Sequence, residues 1–266
     1  MKKSKNNLDN NDVECIEKNL LKFKKSNSIK KIFYAFLIQQ IIWHLVLAFV
    51  YYNKRIPKYI YADNELEKNN FWIKILNLGY NKEWSNGTYG FPDFICLKFF
   101  ILFYVGSFLW WYLITPYLIY KYLNVKEINI FVKSYLIILF ISIVFYLVFP
   151  IECLKVFQIT QRSENKSLIS KLIDFLLFKT YDLDTLRFNN LPSMHVSTSW
   201  LCYIPFRNTK NNISKKIVWL QFIMAFGVFI STFVLKQHYI MDGIASIFLV
   251  EIVYFVILRK NKNKKI

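Results

Sequence analysis

Acidic residues are scarce in this chain: 17 Asp and Glu stand against 35 Lys and Arg in 266 residues, leaving a formal net charge of +18. Glycine and proline are scarcer, six of each. With so few breakers, the apolar residues (55% of the chain, aromatics alone 19%) run in long uninterrupted blocks. Blocks of that length exclude an ordinary soluble core and read as membrane spans. The four cysteines, Cys15, Cys96, Cys153 and Cys202, form no C-x-x-C pair and no zinc spacing, which argues against a metal cluster. Cys96 and Cys153 could face one side of a membrane and pair, although free thiols are the expected state. A cleavable signal peptide is also lacking. The charged tail is too long and no small-residue cleavage site follows the first apolar block, so that block is expected to stay as an anchor.

What is present is a series of six apolar segments, near residues 32–52, 94–120, 131–149, 192–206, 217–235 and 238–258. The expected fold class is therefore all-α: a polytopic membrane protein built as a six-transmembrane-helix bundle. A net charge of +18 could indicate nucleic acid, but its distribution does not. Residues 1–31, 119–130, 207–216 and 259–266 together carry 20 Lys and Arg against Asp9, Asp12, Glu14, Glu17 and Glu127. The long segments 53–93 and 151–191 are near balance, with six bases and five acids each. Nearly all the excess thus lies on one face, which the positive-inside rule makes cytoplasmic, together with both termini. The expected division is a basic tail 1–31, a membrane domain 32–258 with its catalytic core at about 95–258, and a basic tail 259–266.

Several features along the chain carry expectations of their own. The tail 1–31 shows only faint helical periodicity, in Val13, Ile16, Leu20 and Leu21, and reads as mostly mobile, with part of it forming an interfacial helix. His44 inside the first span reads as a packing or helix–helix contact. Residues 53–93 are mixed in charge, with a turn signal at Ser85-Asn86-Gly87 and a glycosylation-type triplet at Asn86-Gly87-Thr88. Trp110 and Trp111 fall inside the second span, and Pro150 ends the third. Glu251, in the cytoplasmic half of the last span, is expected to be a helix-interface or membrane-interface residue and is given no catalytic role.

The chemistry concentrates where the 151–191 loop, the start of the fourth span and the turn before the sixth open on the outer face. Pro192-Ser193-Met194-His195 reads as a proline-started helix. Two readings fit it equally: a helix cap with an incidental histidine, or an anion site in which helix N–H groups, a hydroxyl and an imidazole meet a phosphate. Lys155, Arg162, Lys236, His238 and Asp242 share that face. His238 and Asp242 are four residues apart and on a helix would lie on one side. The carboxylate would then fix the imidazole tautomer and leave the other nitrogen free to attack, or the two would form an ordinary interfacial pair.

In order and spacing, Lys155-x6-Arg162, Pro192-Ser193-Met194-His195 and Ser231-Thr232-x5-His238-x3-Asp242 resemble the three-part signature of the type-2 phosphatidic acid phosphatase superfamily. That superfamily also includes inositol phosphorylceramide and sphingomyelin synthases. The resemblance implies that His238 is the nucleophile, forming a phosphohistidine, that Asp242 orients it, and that His195 is the general acid. It implies that Lys155, Arg162, Ser193 and the amides near Met194 hold the phosphoryl oxygens, and that neither metal nor other cofactor takes part. Two positions depart from the pattern. Ser163 stands where a proline usually follows the first motif's arginine, and Thr232 stands where the third motif has arginine. Lys236 is a candidate substitute for that lost phosphate ligand, or a residue that only marks the turn.

The expected activity is hydrolysis of a lipid phosphate monoester or diphosphate, of the phosphatidic acid or polyprenyl diphosphate type. A fourth span of only about 15 residues, roughly 22 Å long, would hold the site near the headgroup layer, which suits a lipid-borne phosphate. Two rivals stand beside it: transfer of a phosphorylated headgroup onto a lipid alcohol, and a catalytically silent membrane protein or transporter. The expected partners are a lipid phosphate and membrane lipids, not nucleic acid. The expected location is the plasma membrane, with the site on its outer face.

Overall fold

The computed structural model describes residues 10–52, 59–60, 99–148, 151–152, 167–183, 191–209, 211–235 and 237–263. Helices α1 (Asn10–Tyr52), α2 (Phe100–Tyr122), α3 (Val125–Val148), α4 (Leu168–Leu183), α5 (Met194–Asn208), α6 (Lys215–Val234) and α7 (Ile240–Asn263) account for nearly all of it. The exception is a two-residue parallel pairing of β1 (Tyr59–Ile60) with β2 (Ile151–Glu152), which joins the chain just after α1 to the chain just after α3. Among the described residues, four helical stretches are long and apolar enough to cross a membrane: Phe100–Tyr122, Val125–Val148, Lys215–Val234 and Ile240–Asn261. Their outward faces carry Leu113, Phe140, Trp219, Phe248, Ile252 and Phe255, as lipid-facing helices do.

Helix α5 sits in the middle. It packs on α3, α6, α7 and the central turn of α2, and is buried nearly all round, from Met194 through Phe206. Small residues Ser197, Thr198 and Ser199 keep it slim, so that neighbours approach closely. The same economy operates between the outer helices. A β-carbon on Gly227 would run into the Phe103 ring of α2, and one on Gly243 would sit 2.6 Å from the Phe229 ring of α6. Helix α2 holds a π-helical turn at Trp110–Ile114, a distortion that often marks a functional region. It rotates Trp111 inward, where its indole N–H donates to Ser199 Oγ at 2.9 Å.

Three expectations need correction. The N-terminal tail is helical from Asn10, and α1 runs 43 residues without a break. At about 1.5 Å per residue it extends roughly 65 Å, twice a membrane's hydrocarbon thickness. Its polar half is held by more than local propensity. Ser28, Ile32, Ala35 and Phe36 are buried, and the Lys25 ammonium lies 5.3 Å from the centre of the Tyr120 ring. Burial pulls the Lys25 pKa below the ordinary lysine value, with Glu127 partly countering. Second, the segment taken as a loop from 151 to 191 contains α4, whose Ile173 and Leu177 pack on Ile101, Tyr104 and Leu235. Third, His44 is exposed, not packed, and its Nδ1 lies 2.7 Å from the Gln40 carbonyl oxygen one turn back.

Candidate active site

The site begins with the way α5 starts. Ser193 is the N-cap, with extended backbone and its Oγ accepting the Val196 N–H at 3.4 Å. Pro192 therefore stands one residue before the cap, not in the first helical turn as the sequence suggested, and the Leu191–Pro192 peptide bond is cis. Neighbouring helices hold this short segment by its backbone. The Tyr146 hydroxyl of α3 donates to the Pro192 carbonyl, and the Ser193 N–H donates to the Asp242 carbonyl of α7 at 3.3 Å. The Ser246 hydroxyl sits 3.0 Å from the Ser193 carbonyl and 2.6 Å from that of Asp242, so its one proton serves either. The N-termini of α5 and α7 are thereby tied together. Their partial positive charges add in one place, an arrangement favourable to an anion.

His195 follows as the second residue of α5. Its ring stacks on Tyr104, with centroids 4.5 Å apart and planes at 26°, while Trp111 lies 5.7 Å away and Phe108 6.0 Å, edge-on. These three aromatics come from α2 at spacings of four and three, one helical face. The wall they form was missed in the sequence, where only Trp110 and Trp111 stood out. Its signal was that spacing.

His238 arrives from the turn between α6 and α7. The Thr232 carbonyl accepts the N–H groups of both Gln237 (2.9 Å) and His238 (3.1 Å), closing the turn tightly at the end of α6. The Thr232 hydroxyl donates to the Phe229 carbonyl of its own helix at 2.8 Å. The residue at the family's arginine position thus serves the helix end. His238 Nδ1 lies 3.6 Å from Asp242 Oδ2, and the two side chains are only 5% and 3% exposed. The separation suits electrostatic pairing and exceeds a hydrogen bond. The sequence reading put both residues on one face of a continuous helix. In fact α7 begins at Ile240, and the pair meets across the helix start. Asp242 Oδ2 also accepts the Tyr239 N–H at 2.9 Å, an N3 carboxylate capping its own helix.

The two imidazoles come together, with ring centroids 6.0 Å apart and planes at 59°. Of the residues expected at the site, His195, His238, Asp242, Ser193 and Met194 are gathered here. Lys155, Arg162, Ser163 and Lys236 lie outside the described residues, as do Ser85-Asn86-Gly87, Cys96 and Cys153. Cys202 is a buried free thiol in α5. Beside His238, Gln237 is wholly buried, and neither its amide oxygen nor its amide nitrogen has a hydrogen-bond partner. A buried polar group in that condition is uncommon. Among the described residues, no three His, Cys, Asp or Glu side chains are grouped so as to hold a metal ion.

Chemically, the arrangement offers an imidazole with a buried carboxylate behind Nδ1, a second imidazole in an aromatic wall, and two helix N-termini on the same side. That set can bind a phosphoryl group, attack it and protonate a leaving oxygen. No curated protein and no solved structure matches the chain. The sequence model of the PAP2 superfamily matches residues 82–256, which take in α2 to α6 and α7 as far as Val256, with every residue of the histidine site. The chain therefore belongs to the PAP2 superfamily, as its motifs led one to expect.

Proposed function

We propose that this protein is a membrane-embedded, metal-independent lipid phosphatase that works through a phosphohistidine on His238. PAP2 superfamily proteins generally hydrolyse phosphate esters, and the chain has helices fit for a membrane. The observation that carries the finer reading is the meeting of two imidazoles at joined helix starts, one backed by a buried carboxylate.

In this mechanism Asp242 holds the Nδ1 side of His238, which leaves Nε2 as the nucleophile. Nε2 attacks phosphorus while the bond from phosphorus to the lipid oxygen breaks. His195, protonated, gives its proton to that oxygen, and the lipid leaves as an alcohol. Neutral His195 then takes a proton from water as the water oxygen attacks the phosphohistidine, the N–P bond breaks, and inorganic phosphate departs. His238 and protonated His195 are restored. Phosphoryl transfer is mostly positioning and stabilisation of charge on the equatorial oxygens. Ser193 and the amides near Met194 supply part of that cradle, and Lys155, Arg162 and Lys236 the cationic part. The aromatic wall of Tyr104, Phe108 and Trp111 fixes the His195 ring and excludes water from one side of it.

The topology that accompanies this reading has six spans, α1 and α5 joining the four lipid-length helices. Both termini and the basic tails 1–31 and 259–266 are cytoplasmic, and the histidines face outward in the plasma membrane. The charge distribution supports it.

Headgroup transfer is the second reading, favoured by Thr232: its hydroxyl is engaged with its own helix where phosphatases of the superfamily carry arginine. The purified full chain, given phosphatidic acid or a polyprenyl diphosphate, and separately a phosphodiester lipid such as phosphatidylinositol or phosphatidylcholine with and without a lipid alcohol, separates the two. Phosphate released without an acceptor is the expected result. A phosphodiester formed only when an acceptor is supplied would establish transfer, and neither product from any substrate would sink both readings.

A further inference from the structure

A cavity of about 520 Å³ lies between α1, α3 and the end of α7, lined by Lys31, Lys126, Asn129, Lys133 and Asn261 among others. It stands far from the histidines. Asn261 is near the C-terminus of α7 and His238 just before its N-terminus, roughly 35 Å apart at 1.5 Å per residue. Three ammonium groups share the lining, and no carboxylate among the described residues belongs to it. Glu127, next in sequence to Lys126, is engaged elsewhere: its oxygens accept from the Asn124 N–H, the Thr209 hydroxyl and Asn211 Nδ2. Lys126 is held in place, its Nζ donating to the Asn261 carbonyl at 3.0 Å.

The level of the cavity is as telling as its charge. Lys126, Asn129 and Lys133 fall at spacings of three and four on one face of α3. Lys133 lies about 12 Å along the helix from Val125, inside the stretch Val125–Val148 that is apolar enough to span a membrane. A lysine at that depth directs its charge along the stem toward the headgroup layer. Lys31 approaches from α1 and is the last basic residue before the buried Ile32. Three cations held together repel one another unless an anion with several acceptor oxygens stands among them. Basic pockets between membrane helices at the headgroup level suit such anions.

We infer that this cavity is a binding site for a phosphate-bearing anion, of the kind a phospholipid headgroup presents, separate from the histidine site and at the other end of the bundle. Asn129 supplies an amide beside the three ammoniums, while the Asn261 amide donates to the Ile257 carbonyl of its own helix at 2.8 Å.

The test uses the purified full chain in phosphatidylcholine nanodiscs containing a phosphatidylinositol phosphate. Retained lipid is counted by native mass spectrometry, and the reactivity of Lys31, Lys126 and Lys133 toward an amine-acylating reagent is read by peptide mapping. Neutralising all three (Lys31→Gln, Lys126→Gln, Lys133→Gln) should weaken lipid retention roughly a hundredfold, since each lysine near a charged surface contributes about a fivefold factor. A charge-matched control at exposed lysines outside the cavity (Lys22→Gln, Lys24→Gln, Lys30→Gln) should retain lipid as the parent does. Protection of the three amines by the lipid assigns a headgroup as the ligand. Protection by inorganic phosphate alone, without lipid retention, assigns a free phosphate to the same site. Equal acylation with and without both probes in the unsubstituted protein overturns the site, whether or not the triple variant folds. Equal retention by a folded triple variant overturns it too.

Discussion

The two ends of the bundle handle charge in opposite ways. At the histidine end, His238 and Asp242 are almost fully buried, and Asp242 and Ser193 are bound to backbone groups of the joined helix starts. At the other end, Arg207 and Glu251 form a two-pronged pair at 2.9 and 2.7 Å, with a further donor in the Trp200 indole, and both side chains remain more than a third exposed. Burying a carboxylate beside an imidazole costs several kcal/mol of lost hydration before any attraction is counted. A half-exposed pair between two helices costs little and contributes little. In the proposed mechanism, the end where charge is desolvated is the end that carries the chemistry. The exposed pair ties α5 to α7.

Two substitutions at the histidine end should have large effects on turnover without unfolding the chain. Asp242→Asn should lower the rate of phosphate release by about 10⁴-fold, the scale seen when an orienting aspartate behind a catalytic histidine is made neutral. His195→Gln should lower it by about 10²–10⁴-fold, the usual contribution of a positioned acid. Steady-state phosphate release, with helicity and monodispersity checked in parallel, measures both. If either variant keeps the parental rate, the contrast between the two ends no longer marks function.

At the exposed end the expected effect is small and of another kind. Glu251→Gln removes the charge that Arg207 and Trp200 share. Solvent screening limits the loss of stability to about 1 kcal/mol or less, and phosphate release should stay unchanged. Thermal unfolding in detergent together with the same turnover assay decides it. A fall in activity would mean that the two ends are coupled through α5 and α7.

The sequence carried the membrane helices plainly, because α2, α3, α6 and α7 are each an unbroken apolar run between polar flanks. It carried the pairing of His195 with His238 only through motif order, since no periodicity links residues on α5 and on the α6–α7 turn. Elements stabilised by distant contacts were hidden. The first half of α1 is polar with faint periodicity, and its helix rests on contacts such as Lys25 over Tyr120, from another part of the chain. Helix α4 shows Ile173 and Leu177 one turn apart, but their partners Ile101, Tyr104 and Leu235 lie on α2 and at the end of α6. The place of Pro192 was misjudged for a local reason: a proline three residues before a histidine fits a first turn or the residue before a cap equally well, and the Ser193 cap decided it. Gln237 gave no signal at all, because being unpartnered is a property of its burial.

The central claim is that His238 carries the phosphoryl group. The direct measurement is rapid-quench labelling: the purified protein is mixed briefly with a lipid phosphate radiolabelled at the transferred phosphorus, denatured in alkaline detergent, and its phosphopeptides are mapped at alkaline pH. The account predicts an acid-labile, base-stable label on the peptide containing His238, absent from His238→Ala and accumulating when the second step is slowed. Label on any other residue, or phosphate release by folded His238→Ala at the parental rate, would contradict it.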